Sequence, residues 1–470
     1  MRSRSIGWLI LLAAFALVAA ACSSSGGTTT TAAPATTAAP ATTAAPGTTA
    51  ATTTTAAPAP AVKTDIGVDP DTKTISIGIL ADLTGIFSGL TTDIADAQLV
   101  YWDKLNAAGG IDGWKVNPIV EDTNYNVDQH LEKYAKIRDQ IVAISNSTGS
   151  PTSVKMLKKM LADNDPMLFI PLSWYSGWAI PDFDHKLALE QNTNYCLEAL
   201  NILGFINEQG GKKIALATFP GDYGQDSAAG VKKAIDFYGM ELVYDGEAAV
   251  IPGQDQAPVI QGIVNSGADW VYMTTNPSIG AEILGGAVAQ GFAGKWTGSV
   301  PTYDFRLLDS PAGPLYSQVF YQAGYNVPWG SDVAGMAEIA DAMKAAYPDR
   351  RPSDAFVIGW DEALTMHQVL AKAIENGDLT RQGVIEAANS LTGIDFQGVQ
   401  PDQSYAGTPN EYVQRKLAMF KPNLEKYQAA GGKDQTLSQE GATTGSELIK
   451  DFFTSEAAKA FDFTEPCYQL

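Results

Sequence analysis

The sequence predicts an α/β protein built on doubly wound parallel sheets. Three observations carry that reading. First, residues 74–122 read strand, glycine-broken loop, helix, strand. Ile75, Ile77 and Ile79 alternate with small or polar residues, while Ile94, Ala97, Tyr101 and Leu105 recur at three- and four-residue steps from about Thr92 to Ala107. Gly109-Gly110 end that helix and a second strand runs from Trp114 to Val120. Such a βαβ unit implies parallel strands and a right-handed crossover. Second, the pattern returns as strand Lys213–Thr218, a helix from about Asp226 to Tyr238, strand Glu241–Gly246, helix Ala257–Ser266 and strand Trp270–Thr274. Third, 470 residues with 45% hydrophobic and 18% charged side chains suffice for two domains.

The formal net charge is −21, and residues after 73 hold 27 basic against 49 acidic side chains. That surface argues against nucleic acid and against adsorption to anionic lipid. Three histidines and three cysteines (Cys22, Cys196, Cys467) offer no metal centre. The sequence holds no G-x-S-x-G, H-E-x-x-H or Walker loop and no evident pair of carboxylates. It therefore reads as a non-enzyme without cofactors.

Arg2 and Arg4 precede an apolar run from Ile6 to Ala21, a charged start and a short hydrophobic segment. The run ends Val18-Ala19-Ala20-Ala21-Cys22, which resembles a bacterial lipoprotein signal with Cys22 as the lipidated residue. Ala19 stands where a branched residue is usual, and an ordinary secretory signal is the other reading. Two or more acyl chains would anchor stably where one would not. Residues 23–73 read as a tether. From Ser23 to Val62 it has no charge, and TTAAP units place Pro34, Pro40 and Pro46 six residues apart. Forty such residues would reach roughly 120 Å when extended.

Within the folded part, Leu83-Thr84-Gly85 and Asn106-Ala107-Ala108-Gly109-Gly110-Ile111-Asp112-Gly113 closely resemble the start of type I periplasmic solute-binding proteins. The subgroup is that of branched-chain amino acid receptors for transporters. Asp222-Tyr223-Gly224 after a strand is a second point of likeness, and the resemblance spans roughly Thr74 to Lys421. It implies the type I periplasmic binding protein fold: two doubly wound parallel-sheet lobes joined by a multi-strand hinge. Lobe 1 would comprise residues 74–191 and 326–398. Lobe 2 would comprise 192–325 and 399–470, with a C-terminal extension. The implied function is capture of a small polar organic solute, amino acid or amide-like, between the lobes. A lipid-anchored monomer on the extracytoplasmic face of a bacterial membrane would then deliver it to an ABC importer permease. A ligand-sensing receptor and a wall-associated protein on a degenerate binding fold are the alternatives.

The same likeness assigns site residues. Asn146 to Ser153 hold six hydroxyls or amides beside a helix start expected near Val154, where free backbone N–H groups suit a carboxylate. Ser150 and Thr152 inherit that contact. Ser173 and Trp174 follow the strand Met167–Ile170, and Tyr223 would close over the ligand. Thr275 and Leu90 stand at further contact positions; relatives often have an aromatic at the latter. Where amino-acid-binding relatives carry a glutamate for the ligand's ammonium, this sequence has Val300, and the nearest acid is Asp304. Either Asp304 serves, or the ligand lacks a conventional α-ammonium. Trp360 lines the cleft or belongs to the core. Outside the membrane Cys196 and Cys467 are free to pair.

Overall fold

The structure is a computed structural model that describes residues 61–470. The expected signal segment, Cys22 and the tether up to residue 60 lie outside them. Order begins ahead of Thr74: β1 (Lys63–Thr64) and β2 (Val68–Asp69) fall inside the stretch expected to be tether. β2 pairs antiparallel with the start of the next strand, and the Val68 side chain is buried beside it.

The first sheet contains β3 (Thr74–Ala81), β4 (Lys115–Asp122), β5 (Ala143–Thr148) and β6 (Phe169–Leu172). They run parallel in the order β4-β3-β5-β6. The alternation read in Ile75, Ile77 and Ile79 fades after Ser76, because every residue from Ile77 to Ala81 is buried. Helices cover both faces of a parallel sheet, so its inner strands become continuous apolar runs. β5 is buried throughout although it reads AISNST. Its polar side chains are satisfied internally: Ser145 donates to Gln98 at 2.6 Å, and Asn146 donates to Glu362 at 2.8 Å.

The second sheet has β7 (Lys213–Thr218), β8 (Glu241–Gly246), β9 (Trp270–Thr274), β10 (Lys295–Gly298) and β11 (Phe320–Gly324) in parallel. After β12 (Asp378–Leu379), the partner of β1, come β13 (Leu417–Pro422) and β14 (Ser446–Phe453). These two add antiparallel to β11, giving the order β14-β13-β11-β10-β9-β7-β8.

The helices that position the site are α1 (Ser88–Ala107), α2 (Val127–Ile137), α3 (Ser150–Ala162), α4 (Tyr195–Glu208) and α5 (Asp222–Tyr238). They are followed by α6 (Ala257–Ser266), α7 (Pro277–Ala289), α8 (Ala334–Ala346) and α9 (Asp354–Glu375). α3 and α5 start about four residues earlier than their apolar spacing suggested. Gly149, at φ +97°, turns the chain directly from β5 into α3, where Pro151 suits the first turn, and Gly221, at φ +88°, stands just before α5. Ser353 caps α9 by accepting from Phe356 N–H. One turn on, a Cβ at Gly359 would lie 2.1 Å from the Ile94 carbonyl, so this glycine permits α9 to press onto α1. A disulfide joins Cys196 on α4 to Cys467, with Cα atoms 6.2 Å apart, and ties down the C-terminal segment. Among the described residues no helix is long and apolar enough to cross a membrane.

Candidate functional site

Loops at the carboxyl ends of the parallel strands meet in one crevice between the two sheets, the place where open α/β sheets take ligands. It holds about 830 Å³ of empty space, including its open mouth. Phe87 and Leu90 enter after β3, Tyr125 after β4, Thr148 to Ser150 after β5, and Trp174 after β6. From the other sheet come Tyr223 after β7 and Val300 to Phe305 after β10, joined by Tyr195 at the start of α4. The walls are mostly aromatic and aliphatic. Tyr223 packs 4.8 Å from Tyr195, and Phe87 lies 4.9 Å from Tyr125, measured between ring centroids.

One end of the crevice offers hydrogen-bond donors. The first-turn N–H groups of Ser150 and Thr152 have no acceptor within their own helix. The Ser150 hydroxyl is oriented by a relay. Trp178 Nε1–H donates to Ser173 Oγ at 3.1 Å, and the Ser173 and Ser150 oxygens are 2.6 Å apart. With Ser173 accepting from Trp178 and donating to Ser150, the Ser150 proton is shared between the neighbouring Asp222 carboxyl and the crevice. A Cβ at Gly149 would stand 2.6 Å from the Tyr125 ring. The glycine therefore serves both the turn and the aromatic wall.

The other end offers acids that are already engaged. Asp304 accepts from Arg306 N–H at 2.8 Å and from Arg306 Nη1 at 2.9 Å. Burial pushes its carboxyl up to about 6, and the Arg306 charge opposes that rise. The same guanidinium crosses to the first sheet's side, donating to the Gly89 carbonyl at 2.7 Å and to Asp93 on α1. Asp354 accepts on one oxygen from Trp329 N–H at 2.9 Å and from the Thr444 hydroxyl at 3.1 Å, and among the described residues no donor reaches its other oxygen. Behind Val300 lies Glu198, pushed up to about 8 by burial, with one oxygen accepting from Val300 N–H at 2.8 Å. Asp222, beside the Ser150 end, is raised to about 7, again by burial.

Of the residues singled out in the sequence, Leu90, Ser150, Trp174, Tyr223 and Asp304 line the crevice. Thr152, Ser173 and Thr275 do not. Because α3 begins at Ser150, Thr152 lies inside its first turn and donates to the carbonyls of Thr148 and Gly149. Ser173 stands behind Ser150 as its support. Thr275 donates to the Asn276 carbonyl at 2.9 Å, and its own carbonyl accepts from Tyr223 at 3.0 Å. Trp360 is buried and lines a different cavity. Phe87, Tyr125, Tyr195, Tyr303 and Phe305 were not singled out. All but Tyr195 sit in loops that follow strands, which was the available signal. Among the described residues no cluster of three or more metal-binding side chains occurs.

The family described as periplasmic binding protein matches residues 74–423. Among solved structures, a fatty acid ABC transporter substrate-binding protein from Thermomonospora curvata is 26% identical with a TM-score of 0.75, covering 85% of this chain and 97% of that one. A branched-chain amino acid ABC transporter protein from Thermus thermophilus with bound valine is 16% identical, at TM-score 0.67 and coverage of 84% and 99%. A possible leucine/isoleucine/valine-binding protein from Rhodopirellula baltica is also 16% identical, at TM-score 0.66 and coverage of 81% and 97%. No curated protein matches the sequence.

Proposed function

The chain belongs to the periplasmic binding protein family, and from that premise we propose that it captures a small carboxylate with an apolar body and hands it to an ABC importer. One observation carries the choice of ligand. The crevice is walled by aromatic and aliphatic side chains with donors at the start of α3, while Asp304 has both oxygens held by Arg306 and Asp354 has one oxygen held by Trp329 and Thr444. An amino acid would have only the second oxygen of Asp354, a carboxyl that burial raises, to set against its buried ammonium, which is unfavourable. A carboxylate without that group meets donors at one end and apolar surface along its length. Each buried methylene adds about 0.8 kcal/mol. The Thermomonospora curvata protein named for fatty acids points the same way. Within the solute class expected from sequence, this favours the branch in which the ligand lacks an α-ammonium.

The two-lobe division, with boundaries near residues 191, 325 and 398, is part of the proposal. It is supported by the return of β13 and β14 to the second sheet and of α9 to α1. Arg306 bridges the two sides in this structure, as a latch on the closed form would. Lipid anchoring through Cys22 at the extracytoplasmic face, a monomeric state and absence of catalysis complete the reading.

The test is thermal unfolding of protein refolded from denaturant to remove carried ligand. The panel is straight and branched carboxylates, their amides and the matching amino acids. A ligand at 100 times its Kd adds about 2.7 kcal/mol, and at roughly 2–4 °C per kcal/mol the midpoint rises about 5–10 °C. A rise confined to carboxylates supports the proposal; a rise confined to amino acids overturns it.

A further inference from the structure

α9 takes part in two cavities. Asp354, Ala355 and Ile358 face the crevice, whereas Trp360, Asp361, Leu364 and His367 line a second cavity against α1, α8 and residues 396–399. The two share no lining residue. The second holds about 630 Å³ of empty space, including its mouth. We infer that this cavity is a separate ligand site for a small organic ammonium ion with a flat apolar body.

Its inner acid is the first ground. Asp361 is 2% exposed and lines the cavity. One of its oxygens accepts from Asn326 Nδ2; among the described residues no donor reaches the other. A carboxyl so deeply buried is normally partnered on both oxygens. The open valence points to a donor that arrives with a ligand.

The walls are the second ground. Tyr101, Trp360 and Phe396 line the cavity, with Tyr101 and Trp360 set edge to face at 4.8 Å. The Tyr101 hydroxyl is fixed by His367 Nδ1 at 2.6 Å. Aromatic faces beside a carboxylate form the environment in which organic cations are held. The protein already shows the chemistry at the rim, where the Lys104 ammonium lies 5.4 Å from the Trp360 ring centroid and pairs with Glu338. Charge then decides the sign. Glu338 and Asp361 both line the cavity, and among its lining residues there is no lysine or arginine. Burial raises the Asp361 carboxyl well above its ordinary range, and an ammonium arriving beside it would favour the charged form. An anion would meet no cationic side chain in the lining, and a body without a donor would leave Asp361 without its second partner.

The test is titration calorimetry of the full-length chain with benzylammonium, using benzyl alcohol and benzoate as matched neutral and anionic probes. We expect saturable benzylammonium binding with a Kd of about 1 mM or tighter. Both controls should bind at least about 10-fold more weakly, as loss of a charge-assisted contact implies. Asp361→Asn keeps the shape and should weaken benzylammonium by at least about 10-fold. Leu364→Trp, at a half-buried lining position, should abolish binding by filling the cavity, and it serves where the first variant fails to fold. No saturation by about 20 mM, equal binding of benzyl alcohol, or binding that survives either folded variant overturns the inference.

Discussion

The two ends of the crevice differ in what they leave free. At the Ser150 end the polar groups are organised so that donors remain available: Trp178 satisfies Ser173, and Ser173 supports Ser150. At the Asp304 end the polar groups satisfy one another. Arg306 occupies Asp304 and reaches over to Asp93, which also accepts from Arg350 and Ser353. The presence of a charged side chain in a pocket is thus a poor guide to ligand charge. What counts is the hydrogen-bonding capacity left after the protein has paired its own groups.

The strongest way to break this contrast is to close the donor end. Gly149→Val places a Cβ against Tyr125 and requires a β-branched residue at φ +97°. Carboxylate binding should fall by more than about 100-fold, with a backbone strain of about 1–3 kcal/mol visible in the unfolding midpoint. Ser150→Ala removes one charge-assisted hydrogen bond and should weaken binding by about 10- to 100-fold, measured by calorimetry. Arg306→Ala cuts the bridge to Asp93 and should act mainly on ligand release, raising the off-rate by about 3- to 10-fold in stopped-flow fluorescence. Asp304→Asn sharpens the comparison from the other side. The carboxylate Kd should change by less than about 3-fold, smaller than the effect at Ser150, since an already engaged acid contributes little to the ligand.

A further expectation concerns pH. Burial raises Asp222 and Asp226 to about 7, and Glu198 and Glu362 to about 8. The folded chain therefore keeps protons that the unfolded chain releases above its ordinary carboxyl range. The stability from these groups is complete below about pH 4 and is lost as pH rises through 7 to 8. The lowered carboxyls of Asp122 and Asp378 act below that window. The unfolding midpoint should thus fall from pH 5 to pH 9, and Glu362→Gln should flatten the slope. A midpoint that rises over this range would contradict the assignment.

Much of the architecture was legible in the sequence because it rests on short-range pattern. The strands at 213–218, 241–246 and 270–274 coincide with their apolar runs. The site was less legible, for two physical reasons. Helix starts depend on a single glycine with positive φ, so Thr152 was read as a loop hydroxyl when it is a first-turn residue bonded to its own backbone. The engagement of Asp304 depends on Arg306 and, through it, on Asp93, which is far away in sequence and brought close by α1. No local spacing carries that information. Val300 in place of an acid was the one local sign, and it left open whether Asp304 serves or the ligand lacks an α-ammonium.

The most direct measurement compares 4-methylpentanoate with leucine by titration calorimetry on refolded protein. The two share one carbon skeleton and differ in the α-ammonium. We expect 4-methylpentanoate to bind at least about 10-fold more tightly, because the ammonium would be desolvated with only one open carboxyl oxygen, on buried Asp354, to meet it. Tighter binding of leucine would show that Asp354, or Asp304 freed from Arg306, holds the ammonium, and would contradict the reading of the crevice as a carboxylate site without an ammonium subsite.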